Sequence, residues 1–136
     1  MSKVLVINTD GGSRGNPGPA GIGVVIKSET GETIYSHGGY LGVNTNNVAE
    51  YSALIKALEE SKNLGGTDLK INMDSELIVK QMQGVYKIKE PTLQELAQQV
   101  FKLLNHFNSY TFTHVRREFN KEADAMVNQA LDAHAE

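Results

Sequence analysis

Four acidic residues stand where strands give out or helices begin. Asp10 follows the apolar run Val4-Leu5-Val6-Ile7, Glu50 lies three residues past Asn47, Asp74 follows an alternating apolar stretch, and Asp124 lies four past Asn120. Four hard anionic oxygen donors, with no cysteine and no histidine required, suit Mg²⁺ or Mn²⁺ rather than Zn²⁺. Two such ions sharing a carboxylate at about 4 Å separation can activate water and stabilise a leaving oxygen, as in-line attack on a phosphodiester requires. Each acid also has a plainer use. Asp10-Gly11 is a turn dipeptide, and Asn47 with Glu50 makes a capping box. Asp74 can cap the helix that follows it, and the helix dipole favours an acid in a first turn, where Asp124 sits. The chemical reading gains weight only if the elements carry all four to one edge.

Residues 3–10 read as a strand buried on both faces in the centre of a sheet, with Asp10 at its end. Residues 11–19, Gly-Gly-Ser-Arg-Gly-Asn-Pro-Gly-Pro, read as a loop dense in breakers. With no Gly-Lys-Ser/Thr and no helix behind it, this is not a nucleotide-binding P-loop. Residues 20–28 and 33–41 form a hairpin about Glu29-Thr30-Gly31-Glu32. Asn47 then caps a helix with Tyr51, Leu54, Ile55 and Leu58 inward, ended by Gly65-Gly66. Residues 68–73 alternate as a short strand, and Ser75 opens a helical segment. After a break at 84–91 that holds Lys87 and Lys89, a helix over 92–107 is well patterned, with Leu93, Leu96, Ala97, Val100, Leu104 and Phe107 inward. Residues 109–115 supply the last strand, with Tyr110, Phe112 and His114 on one face. Asn120 caps a final helix with Val127, Ala130 and Leu131 toward the core. His114 reads as a structural strand residue rather than a metal ligand.

Right-handed crossovers make strands one, four and five parallel, with strands two and three as an antiparallel meander beside them. The expected architecture is α/β, a five-stranded mixed sheet of order 3-2-1-4-5 flanked by helices. The carboxyl ends of its parallel strands define a site, and all four acids converge on that edge. At 136 residues, 40% apolar and 21% charged, the chain is expected to fold as one domain, residues 1–136. Zero cysteines exclude disulfides and thiolate metal sites. No apolar stretch resembles a signal peptide or membrane span, so a cytoplasmic, soluble monomer is expected. The net charge of −3 does not announce a nucleic-acid partner, so any such binding rests on local basic residues and on metal neutralising the acids.

Together, Asp10-Gly11-Gly12 with Asn16-Pro17-Gly18-Pro19, Thr45-Asn46-Asn47 leading to Glu50, Asp74-Ser75, and Asn120-x-x-x-Asp124 resemble the motifs of type 1 ribonuclease H, in order and over essentially the whole chain. The resemblance implies the ribonuclease H-like fold. It also implies a metal-dependent endonuclease that cuts the RNA strand of an RNA·DNA hybrid, leaving a 5′-phosphate and a 3′-hydroxyl. Asp10, Glu50, Asp74 and Asp124 would hold two Mg²⁺ or Mn²⁺ ions. Asn16, Asn46 and Asn47 match residues that contact the RNA strand, and Thr45 matches one that grips a DNA phosphate. Gly11, Gly12, Ser13, Ser75 and Glu76 occupy neighbouring positions. Uncharged amides and hydroxyls fit this task, because the 2′-OH separates RNA from DNA.

Three departures qualify the match. The loop histidine found before the last acid in many members is missing, so its role is either vacant or taken by Arg117 or Glu118. The break at 84–91 is too short for the extra helix and basic protrusion that many members carry. Val43 stands where an arginine is common, so fewer phosphate-neutralising charges are present, and lower hybrid affinity, with activity more dependent on metal and low salt, is expected. The compact form resembles variants from archaea and some bacteria, some of which also cut double-stranded RNA. The rival readings are a catalytically inactive hybrid-binding module and a nuclease of the wider superfamily, such as a junction resolvase. Four intact acids oppose the first, and the Asn16 and Thr45-Asn46-Asn47 track opposes the second.

Overall fold

A computed structural model describes residues 2–134. Strands β1 (Val4–Ser13), β2 (Gly18–Ser28) and β3 (Thr33–Asn44) come first, then helix α1 (Asn46–Asn63) and strand β4 (Asp68–Met73). Helices α2 (Glu76–Met82) and α3 (Pro91–Leu104), strand β5 (Ser109–His114), a 3₁₀ turn at Arg117–Phe119 and helix α4 (Lys121–His134) complete the chain. The sheet order is β3-β2-β1-β4-β5, with β1, β4 and β5 parallel and β2 and β3 antiparallel, as the crossover argument requires.

One face of the sheet carries the main core. Leu5 and Ile7 of β1 with Leu69, Ile71 and Met73 of β4 pack beneath Leu54 and Leu58 of α1 and Val100 and Leu104 of α3, all essentially buried. Tyr51 ties α1 to α2 inside this layer, its hydroxyl donating to Gln81 Oε1 at 2.7 Å. Helix α4 covers the other face over β1, β2 and β3. Two glycines let it lie close. A Cβ at Gly23 would run into the Ala123 carbonyl, and one at Gly38 would sit 2.6 Å from the Met126 carbonyl oxygen.

Local signals misplace several boundaries. Strand β1 does not stop at Asp10. Pairing of Gly11, Gly12 and Ser13 with Ile22, Gly21 and Ala20 carries it on to Ser13, so the expected loop shrinks to a hairpin turn closed by Arg14 N–H donating to the Pro19 carbonyl at 2.8 Å. Ladder hydrogen bonds here override the poor strand propensity of glycine. Helix α1 is capped by Thr45, whose hydroxyl accepts from Val48 N–H at 3.2 Å, not by Asn47. Ser75, not Asp74, caps α2, leaving the Asp74 carboxylate free of that duty. Helix α3 ends at Leu104, short of Phe107, although Phe107 is still buried. Asn120 precedes α4 as expected, and its carbonyl accepts from Asp124 N–H at 3.1 Å, but its side chain turns to β1 instead of capping. His114 ends β5 half-exposed, its Nδ1 3.9 Å from Glu76.

Candidate active site

Parallel pairing of β1 with β4 ends at Thr9 and Met73, so the next residues, Asp10 within β1 and Asp74 just past β4, stand side by side. Glu50, in the second turn of α1, reaches the same point because α1 lies directly on Gly11: a Cβ there would collide with the Ala49 backbone. Gly11 N–H donates to Glu50 Oε1 at 2.8 Å and to Asp10 Oδ1 at 3.0 Å, holding both carboxylates against the strand. Carboxylate oxygens of Asp10, Glu50 and Asp74 lie within 4.8 Å of one another. Asp124, one turn into α4, approaches Asp10 closely enough to raise its pKa.

This grouping is electrostatically costly without a cation. Burial, then the charges of Asp74, Glu50 and Asp124, push Asp10 up from 3.8 to about 9. Burial raises Glu50 from 4.5 to about 7, while hydrogen bonds from Gly11 and Ser75 pull the other way. Among the described residues, no lysine or arginine pairs with Asp10, Glu50 or Asp74. Only Asp124 meets one, Arg117 Nη2 at 3.6 Å from Oδ1. A buried, all-oxygen, self-repelling donor set of this kind fits hard divalent cations.

The acids open into a cleft of about 440 Å³ that Gly11, Gly12, Ser13, Asn46, Asn47 and Ser75 also line. Asn46 Oδ1 accepts from both the amide and the hydroxyl of Ser13, at 2.8 and 3.0 Å, and Asn46 N–H donates to Asn16 Oδ1 at 3.1 Å. Both side-chain amides thus have their oxygens engaged and keep their NH₂ groups as donors. Asn16 and Thr45 do not line the cleft: exposed Asn16 accepts from the Asn46 amide, and Thr45 caps α1. Glu76 does not line the cleft; its exposed side chain faces His114. Sequence reasoning missed Arg14, Val127, Asn128 and Leu131, which also line it. The last three follow Asp124 at i+3, i+4 and i+7, a spacing that puts them on its face of the helix. Of the two candidates for the vacant histidine role, Arg117 lines the cleft, whereas Glu118 borders a separate hollow beside Lys27 and Lys121.

Comparison with known proteins agrees with this geometry. A family model described as "Reverse transcriptase-like" matches residues 8–130. The crystal structure of RNase H1 from the halophilic archaeon Halobacterium salinarum superposes with a TM-score of 0.93 at 41% identity, covering 96% of this chain and 98% of that one. The chain belongs to the type 1 ribonuclease H family. Another ribonuclease H, LC11-RNase H1, solved in complex with RNA/DNA hybrid, is 50% identical with a TM-score of 0.91 over 95% of this chain and 97% of that one. The Bifunctional protein Rv2228c of Mycobacterium tuberculosis is 43% identical over 97% of this chain. The chain spans only 36% of that protein's length, and 62% of the length of the Halobacterium ribonuclease HI that it matches at 43% identity. No helix among the described residues is long and apolar enough to cross a membrane.

Proposed function

We propose that the chain is a single ribonuclease H domain that hydrolyses the RNA strand of RNA·DNA hybrids, giving 5′-phosphate and 3′-hydroxyl ends. The observation that carries this reading is the convergence of three carboxylates within 4.8 Å, with Asp124 beside them, at the floor of a cleft walled by amide and hydroxyl groups. Asp10, Glu50, Asp74 and Asp124 would hold Mg²⁺ or Mn²⁺. Bound there, two such ions supply Lewis-acid stabilisation of the charge that develops during in-line displacement at phosphorus.

The chain's own residues do the rest. Gly11 N–H fixes the Glu50 and Asp10 carboxylates before substrate arrives, reducing the reorganisation that substrate must drive. Asn46, locked by Ser13, presents NH₂ toward a duplex lying in the cleft, where ribose 2′-oxygens and minor-groove base acceptors are available. Asn47 extends that polar wall, Asn16 holds the Asn46 amide beside it, and Gly11, Gly12, Ser13 and Ser75 allow close backbone approach. Thr45, whose hydroxyl caps α1, sits where a DNA phosphate could meet the helix start. Glu76, outside the cleft, can contact only a duplex that runs past α2. Among the described residues Arg117 is the one basic side chain paired with an acid of the cluster, and it is the better candidate for the histidine's role.

The test is cleavage of end-labelled RNA·DNA, RNA·RNA and DNA·DNA duplexes with Mg²⁺, Mn²⁺ or EDTA. Metal-dependent cutting confined to the RNA strand of the hybrid is expected, and RNA·RNA cutting would widen the substrate range. Hybrid binding without cutting would favour the inactive binding module.

A further inference from the structure

Three of the four acids are held in place by β1 or its immediate neighbours, and the fourth is not. Asp10 lies on β1, Asp74 leaves the strand paired to it, and Glu50 is pinned by the Gly11 amide. Asp124 belongs to α4, which rests on β2 and β3 where they present Gly21, Gly23 and Gly38. A glycine surface permits close approach but supplies no side-chain knobs, so interdigitation does little to fix where the helix sits along its own axis. Two exposed ion pairs, Lys27 with Glu122 and Arg14 with Asp132, also join α4 to the sheet, but exposed pairs hold position weakly. At the far end of α4 His134 stacks on Tyr40 of β3, ring centroids 4.0 Å apart, and Ala123, Val127 and Leu131 are buried against the sheet, but the buried polar contact lies at the start of the helix. Asn120, 1% exposed, donates from Nδ2 to the Thr9 carbonyl at 2.9 Å and accepts at Oδ1 from Asn8 Nδ2 at 3.0 Å. Its own carbonyl receives Asp124 N–H, and its amide donates to the Arg117 carbonyl at 2.9 Å. It therefore links the residue before Asp10 to the first turn that carries Asp124.

The structure assigns Asn120 the role of a positioning residue: its side chain latches α4 to β1 and thereby sets the placement of Asp124 against Asp10 for metal and substrate. This deepens the ribonuclease H reading and rests on it. Asn120 touches no reacting group, so its effect must pass through Asp124. Displacing a catalytic group by about 1 Å costs on the order of a hundredfold in rate.

The experiment is a double-mutant cycle of N120A with D124N, read by kcat and KM on hybrid and by calorimetric Mn²⁺ titration of the substrate-free protein. N120A is expected to lower kcat roughly 10- to 100-fold with KM changed less than about threefold. It should weaken Mn²⁺ binding in step with D124N. In the D124N background, N120A should cause little further loss in either readout, while its effect on the melting temperature persists. Additive losses, or N120A altering only the melting temperature, would overturn the assignment. Should N120A fail to fold, N8A removes one strut of the latch and is expected to lower kcat roughly threefold in the wild type but not in D124N; an equal loss in both backgrounds overturns it. If the wild type cuts no hybrid, the functional reading fails, and the Mn²⁺ cycle still decides the latch.

Discussion

Replacing Asp10 with asparagine should stabilise the metal-free protein at neutral and higher pH while destroying its proposed activity. The sign follows from proton linkage. In the unfolded chain Asp10 ionises near its ordinary 3.8, whereas in the fold it holds its proton to about 9. The folded state therefore binds more protons between those values, so stability is greatest below about pH 4 and declines as pH rises toward 9. The substituted amide has no proton to lose and escapes that decline. It can also keep the 3.0 Å hydrogen bond from Gly11 N–H. The magnitude follows from spacing: two unit charges within 4.8 Å repel by at least about 3.5 kcal/mol at an effective dielectric constant of about 20. Shared protonation in the cluster and water in the cleft reduce this, leaving an expected gain of about 1–3 kcal/mol at pH 8, or roughly 3–10 °C in melting temperature for a chain of this size. Thermal melts in EDTA from pH 4 to 9 measure it, and the two curves should converge at the acid end. Excess Mn²⁺ should reverse the order by stabilising the wild type more than D10N. A D10N protein that melts below the wild type at pH 8 in EDTA, or by the same margin at pH 4 and pH 8, would refute the description of the acids as a mutually repelling, uncompensated group.

The same D10N protein should bind hybrid in a gel-shift assay while cutting none of it, and turnover at the wild-type rate would remove Asp10 from the proposed metal ligands. G11A forces a methyl into the Ala49 backbone, so it should cost about 1–3 kcal/mol in denaturant melts and displace Glu50; an unchanged melt would show that α1 does not depend on this approach. Y51F leaves Gln81 Oε1 buried without its donor and should cost about 1–2 kcal/mol by the same measurement, with kcat unaffected. R117A should lower kcat roughly tenfold or more and E118A should not, because only Arg117 faces the cleft; equal effects in steady-state assays would return the question to both residues.

The errors made from sequence share a physical cause. Apolar periodicity and crossover handedness are strong local and topological signals, and they place all five strands, their order and the edge where the acids meet. Hydrogen-bond partners are another matter, because the donor of one element is satisfied by an acceptor far away in the chain. Thr45, Asn46 and Asn47 can all cap a helix, and local chemistry does not choose among them. Thr45 prevails because Asn46 is taken by Ser13, 33 residues upstream. Asn120 is an equally good cap by type, yet its side chain serves Asn8 and Thr9. Gly11 and Gly12 read as a turn because their strand propensity is low, and only pairing with β2 makes them extended. These are also the residues on which the site depends. Because Gly11 to Ser13 remain strand, their amides stand in line to receive Glu50 and Asn46; as a flexible loop they would hold neither. The segment whose local preference conflicts with its structure is the one that orders the acids and the amide wall, as expected where a chain departs from local consistency for the sake of a site.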